Sequence, residues 1–135
     1  MKPSDVKSGE IKILLVEDEP IAQKMAKMIL EELNCELDLA ANGDEAIELF
    51  LKQAYDLILM DIGLPDKDGI SVTSEIRAIE NKASLVPTPI VGLSVHTAKT
   101  ARAQAMEAGM NGYFVKPITL GMSQGFLNQF VFSTK

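Results

Sequence analysis

The side chains of this 135-residue chain that can do chemistry fall in four short stretches. Glu17, Asp18 and Glu19 stand in a row. Asp61 follows an apolar run, Ser94 comes next with Val95 and His96, and Lys116 with Pro117 closes the set. Taken singly, each has an ordinary reading. Acidic residues after an apolar run are often solvated loop residues or charges at a helix N-terminus. Asp61 alone fits a cap, Ser94 a turn and Lys116 a surface charge. Together they mean something else. Carboxylates that crowd without compensation raise one another's pKa by repulsion and desolvation. A hard divalent cation removes that cost, and oxygen ligands with water select Mg²⁺.

What would bring these residues together is the order of elements. Residues 11–16 are a β-branched and Leu-rich run of strand length, residues 37–40 a second short strand and residues 55–60 a third, nearly all apolar. Residues 89–93 and 112–115 give a fourth and a fifth. Helical segments fall between them. Pro20 sits where a helix can start, because its missing N–H costs nothing in the first turn. Ile21, Met25, Met28, Ile29 and Leu33 then follow at the spacing of one apolar stripe. Asn42 with Glu45 forms a capping box for a helix over about residues 43–53. Val72, Ile76 and Ile79 mark a third helix. Ala98, Ala101, Ala105 and Ala108 mark a fourth, with Gly109 as its C-cap. Residues 120–132 are compatible with a fifth, although Gly121 and Gly125 weaken it. Five strands alternating with five helices predict a parallel sheet in a three-layer α/β domain, the doubly wound (βα)5 arrangement. In such a sheet ligands bind outside the carboxyl ends of the strands, and every stretch singled out above follows a strand.

Composition narrows the field. The chain is 47% apolar and 24% charged, and its length fits one domain with a real core. With 13 basic and 19 acidic residues the net charge is −6, a poor match for nucleic acid, which needs a basic footprint. One cysteine, Cys35, excludes an internal disulfide or a multi-cysteine metal site. No apolar run approaches the roughly 20 residues of a membrane span, and the polar start is no secretory signal. The expectation is a cytoplasmic domain over residues 10–132 behind a flexible tail of residues 1–9, without direct membrane contact.

Leu15-Val16-Glu17-Asp18-Glu19, Leu59-Met60-Asp61-Ile62, Leu64-Pro65 with Asp68-Gly69, Leu93-Ser94 and Val115-Lys116-Pro117 resemble, in order, the five signature segments of response-regulator receiver domains. The resemblance covers about residues 10–130 and implies a flavodoxin/CheY-like fold. It implies Asp61 as phosphoacceptor, with Mg²⁺ held by the side chains of Asp18 and Asp61, by the Gly63 carbonyl, and by Glu17 mainly through water. Lys116 would pair with Asp61 and then with the phosphoryl group, and the Lys116–Pro117 bond would be cis. Ser94 would hydrogen-bond a phosphoryl oxygen. Tyr113 would be the switch residue, turning inward as Ser94 moves toward the phosphate. An ionised carboxylate attacks phosphorus without a general base, and the loose transition state asks for positioning and charge neutralisation. The acidic pair is Glu-Asp rather than Asp-Asp, and Gly63 and His96 occupy the two positions that vary with phosphate lifetime in this family. His96 reads as an exposed loop residue.

Two other classes compete. A flavin or nucleotide site would want a Gly- or Ser/Thr-rich loop after the first strand, where this chain has Glu17-Asp18-Glu19-Pro20. A Mg²⁺-dependent phosphohydrolase with an Asp nucleophile usually carries a second Asp two residues on, where this chain has Gly63. No output domain follows the fifth helix in this sequence, so the expectation is a receiver that stands alone or belongs to a larger hybrid sensor histidine kinase. It would catalyse only its own phosphorylation and dephosphorylation. The expected partner is a histidine kinase or histidine phosphotransfer domain, docking on the accessible part of Ile21, Lys24, Met25 and Met28 and on the loop Pro117-Ile118-Thr119.

Overall fold

A computed structural model describes residues 11–95 and 99–132 of the chain. The expectations for the tail at 1–9, for His96 and for Ala98 lie outside the described residues. The elements alternate without exception: β1 (Ile11–Val16), α1 (Pro20–Glu32), β2 (Cys35–Ala40), α2 (Gly43–Lys52), β3 (Leu57–Asp61), α3 (Gly69–Ala83), β4 (Ile90–Ser94), α4 (Lys99–Ala108), β5 (Gly112–Val115) and α5 (Leu120–Phe126). After α5 the chain continues in wider, π-type turns over Leu127–Phe132.

The strands form one parallel sheet in the order β2-β1-β3-β4-β5. Period-two alternation sends neighbouring side chains of each strand to opposite faces. Leu14, Val16, Ile58 and Met60 pack with Phe50, Val72, Ile76 and Ala105, under α2, α3 and α4. Ile13, Leu15, Leu57 and Leu59 pack with Ala26, Leu30, Phe126 and Phe130, under α1 and α5. The expected three-layer fold is present. All five residues of β3 are buried, as a strand covered on both faces requires.

Several boundaries differ from the sequence reading. Tyr55 and Asp56 precede β3: the Asp56 carboxylate takes the Lys12 N–H at 2.8 Å, and the Asp56 N–H donates to the Lys12 carbonyl at 2.8 Å. β2 starts earlier, at Cys35, and β4 starts after Pro89, which has no N–H to give. The apolar stripe assigned to α1 is corrected. Ile21, Met25 and Met28 are 67%, 49% and 67% exposed, while Ala26 and Leu30 are buried and Leu33 packs against them. The helix lies on the sheet through Ala26, Leu30 and Leu33, a stripe turned away from Ile21, Met25 and Met28.

Helix ends follow their capping chemistry. Glu19 caps α1 by accepting the N–H groups of Ile21 and Ala22 at 3.2 and 2.8 Å, with Pro20 beginning the helix. The Asn42 side chain accepts the Glu45 N–H at 2.9 Å, and Glu45 reaches back to the Ala41 N–H at 2.9 Å, one residue beyond the usual box. Gly109 ends α4 with φ +112°, where an L side chain would be strained.

Candidate functional site

The chain runs from β1 outward to β2 and returns to β3 on the other side of β1, so the topological switch lies between β1 and β3. Their register pairs Val16 with Met60, and one further step along both strands sets Glu17 beside Asp61. Asp61 and Glu17 are both buried, at 5% and 4% exposure, whereas Asp18 is exposed. One carboxylate oxygen from each of the three lies within 4.8 Å of the others.

Across the cleft, β4 and β5 bring up the remaining groups. Ser94 ends β4 in register with Val115, and the Lys116 N–H donates to the Ser94 carbonyl at 2.8 Å. The Lys116–Pro117 peptide is cis, as expected. The Lys116 ammonium reaches Glu17 Oε1 at 2.6 Å and Asp61 Oδ2 at 3.4 Å. Its shorter contact is thus with Glu17, a partner that sequence reasoning did not give it. Gly63 donates its N–H to Asp61 Oδ1 at 3.1 Å, and Glu19 donates its N–H to Glu17 Oε2 at 3.1 Å. Glu17, Asp18, Asp61, Gly63, Ser94 and Lys116 together wall an open cleft of about 330 Å³.

The electrostatics follow from burial and crowding. Burial pushes the Asp61 carboxyl above the ordinary carboxylate range, and the charge of Glu17 pushes the same way. The Gly63 N–H and Lys116 pull back without cancelling it. For Lys116, burial works against the charged form, but the hydrogen bond to Glu17 and the charge of Asp61 outweigh it, and the net shift is upward. Three carboxylates against one ammonium leave the cleft short of positive charge. An all-oxygen donor set at this spacing is compatible with a small hard cation.

Tyr113, expected as the switch residue, stands away from the cleft. Tyr113 is buried, at 5% exposure, among the residues under α2, α3 and α4, and its carbonyl accepts from Arg102 at 3.0 Å. It already stands inward. Glu19, counted with the acidic stretch, also lines the cleft, and its carboxylate is engaged in the α1 cap. Gly69, which sequence reasoning treated only as part of a signature, is required sterically: a Cβ there would sit 2.3 Å from the Asp61 carbonyl oxygen. Its N–H donates to the Ile62 carbonyl at 2.9 Å.

Comparison with known proteins gives a consistent result. The response regulator receiver domain profile matches residues 13–122. The transcriptional regulatory protein ResD of Bacillus subtilis (strain 168) is 44% identical over 112 residues, which is 83% of this chain and 44% of that protein. The chain therefore spans less than half the length of that relative. A chain in the co-crystal structure of the Saccharomyces cerevisiae histidine phosphotransfer protein Ypd1 with the Ssk1 receiver domain superposes with a TM-score of 0.85 at 28% identity, covering 93% of this chain and 91% of that one. The receiver domain of sensor histidine kinase PA1611 from Pseudomonas aeruginosa PAO1, with a magnesium ion coordinated in its active-site cleft, matches with a TM-score of 0.80 at 38% identity. That match covers 91% of this chain and 98% of the other.

Proposed function

The chain belongs to the response regulator receiver domain family, the phosphoacceptor modules of two-component signalling, and from that premise we propose which residues do the work. Asp61 takes a phosphoryl group from a phosphohistidine. A bond forms between an Asp61 carboxylate oxygen and phosphorus, the phosphorus–nitrogen bond to the donor imidazole breaks, and that nitrogen keeps the electron pair. In its ionised form the carboxylate needs no general base.

Glu17, Asp18 and Asp61, with the Gly63 carbonyl, would hold Mg²⁺, Glu17 acting mainly through water. Bound there, the ion would supply positive charge to the oxygens of the transferring group. Lys116 swings from Glu17 toward the same oxygens, and Ser94 donates its hydroxyl to one of them. Ser94 and Tyr113 form the switch, with the phosphoryl group favouring one of two pre-existing arrangements. The domain catalyses only the gain and loss of its own phosphate. Gly63 has no side chain to serve as the acid/base that a phosphohydrolase would need at that position.

The donor is a histidine kinase or a histidine phosphotransfer domain, and the reaction belongs to the cytoplasm. Among the described residues no helix is long and apolar enough to cross a membrane. The docking face is the exposed run of Ile21, Lys24, Met25 and Met28, next to a groove of about 160 Å³ whose walls include Ile21, Met25, Lys116, Pro117 and Ile118. The observation that carries the reading is the Glu17–Asp18–Asp61 cluster, with Lys116 reaching two of its members, at the topological switch point. With a small phosphodonor and Mg²⁺, the intact mass gains one phosphoryl group. Asp61→Asn or a chelator abolishes the gain, and retention of it in Asp61→Asn overturns the assignment.

A further inference from the structure

We propose that Gln23, on α1, is a positioning residue for the acidic cluster: its amide fixes the main chain of Glu17 and with it the loop that carries Asp18. The inference rests on the reading of Glu17, Asp18 and Asp61 as cation ligands. Glu17 is where β1 ends and the loop begins, and its polar groups are all engaged. Its N–H donates to the Ala40 carbonyl at 2.9 Å. Its two carboxylate oxygens accept from Lys116 at 2.6 Å and from the Glu19 N–H at 3.1 Å. Its carbonyl accepts from Gln23 Nε2 at 2.5 Å.

The first of these is set by the sheet, and the Glu19 contact lies within the loop. The Gln23 contact ties the loop to the helix. The Gln23 N–H donates to the Glu19 carbonyl at 3.0 Å as the first bond of the helix, so α1 anchors the loop at Glu19 through the main chain and at Glu17 through the Gln23 side chain. Asp18 lies between them. Among the described residues no hydrogen bond or ion pair fixes its side chain, so its placement depends on its backbone. A ligand whose place is fixed before the ion arrives binds it more tightly, because less ordering remains to be done.

Gln23→Met removes the donor while keeping side-chain length and helix propensity. Mg²⁺ binding is read from the amide shifts of Asp18 and Gly63, labelling by acetyl phosphate is followed against Mg²⁺ concentration, and stability is read from the urea midpoint. The expected result is a Mg²⁺ dissociation constant raised roughly tenfold, the size of effect typical for groups that orient metal ligands. The labelling rate at saturating Mg²⁺ and the urea midpoint stay near wild type. Lys27→Met, on an exposed position of the same helix, leaves all three unchanged. An unaltered Mg²⁺ affinity in Gln23→Met overturns the proposal, whether or not the urea midpoint falls. If wild type itself binds no Mg²⁺, the cation reading fails first and this inference falls with it.

Discussion

Asp61 sits at the end of a strand whose five residues are all buried, and it keeps only 5% of its surface exposed. Its carboxyl is pushed above the ordinary range by that burial and by Glu17, so the charged form it needs for chemistry costs folding free energy. The sign follows. The folded state holds the Asp61 proton more tightly than the unfolded chain, where the pKa lies near ~4. In chelator, the cost is fully present above the folded pKa and is relieved as pH falls toward the unfolded value. Asn cannot ionise. Asp61→Asn should therefore be more stable than wild type in chelator at pH 7, with the gap closing as the pH drops toward ~4. Added Mg²⁺ should stabilise wild type by about 2.7 kcal/mol at a hundredfold excess over its dissociation constant, and the variant by much less. Urea unfolding at two pH values, with and without Mg²⁺, checks both. A less stable Asp61→Asn would mean that the carboxylate is comfortable where it is.

The connection from β3 to α3 shows how an element holds the site. Gly69 begins α3 directly against the backbone of Asp61, where a Cβ would meet the Asp61 carbonyl oxygen at 2.3 Å and Met60 Cγ at 2.9 Å. Gly69→Ala should cost roughly 1–3 kcal/mol through forced backbone shifts and should slow labelling of Asp61. Gly125, in α5, has no atom within 4 Å of the same construction. Gly125→Ala should stabilise by about 0.5–1 kcal/mol and leave labelling alone. Urea midpoints of the two variants read the contrast directly. The same two glycines mark what sequence could carry. Apolar runs and their period are local, so five strands and five helices were legible, together with the polar residues gathered at the strand ends in the candidate site, as was Gly109 at the end of α4. Contacts across space were not. Nothing in the spacing says that Gly69 touches Asp61, or that Lys116 lies closer to Glu17 than to Asp61. The α1 stripe was misread because the helix offers two apolar stripes and the pattern does not say which one meets the sheet: Ala26 and Leu30 are buried, while Ile21, Met25 and Met28 are exposed.

Across the whole molecule, the phosphoacceptor cleft and the exposed apolar run of α1 share one edge of the sheet, because α1 starts where the acidic loop ends. On the proposed reading, a donor that presents phosphohistidine to Asp61 also covers Ile21, Met25 and the exposed Lys24 beside them. Lys24→Glu should slow transfer from the cognate phosphohistidine protein, while leaving labelling by acetyl phosphate at the wild-type rate. Equal slowing of both would place the effect in the cleft rather than at the docking face, and time courses with the two donors separate the cases. Everything else in the account depends on where the phosphate goes. The most direct measurement is peptide-level mass spectrometry of the wild-type chain after reaction with a phosphodonor and Mg²⁺, under conditions that trap an acyl phosphate. The account predicts one acid-labile phosphoryl group, on the peptide containing Asp61 and on that residue, lost when Mg²⁺ is chelated. A phosphate on Glu17, Asp18, His96 or any other residue would contradict it.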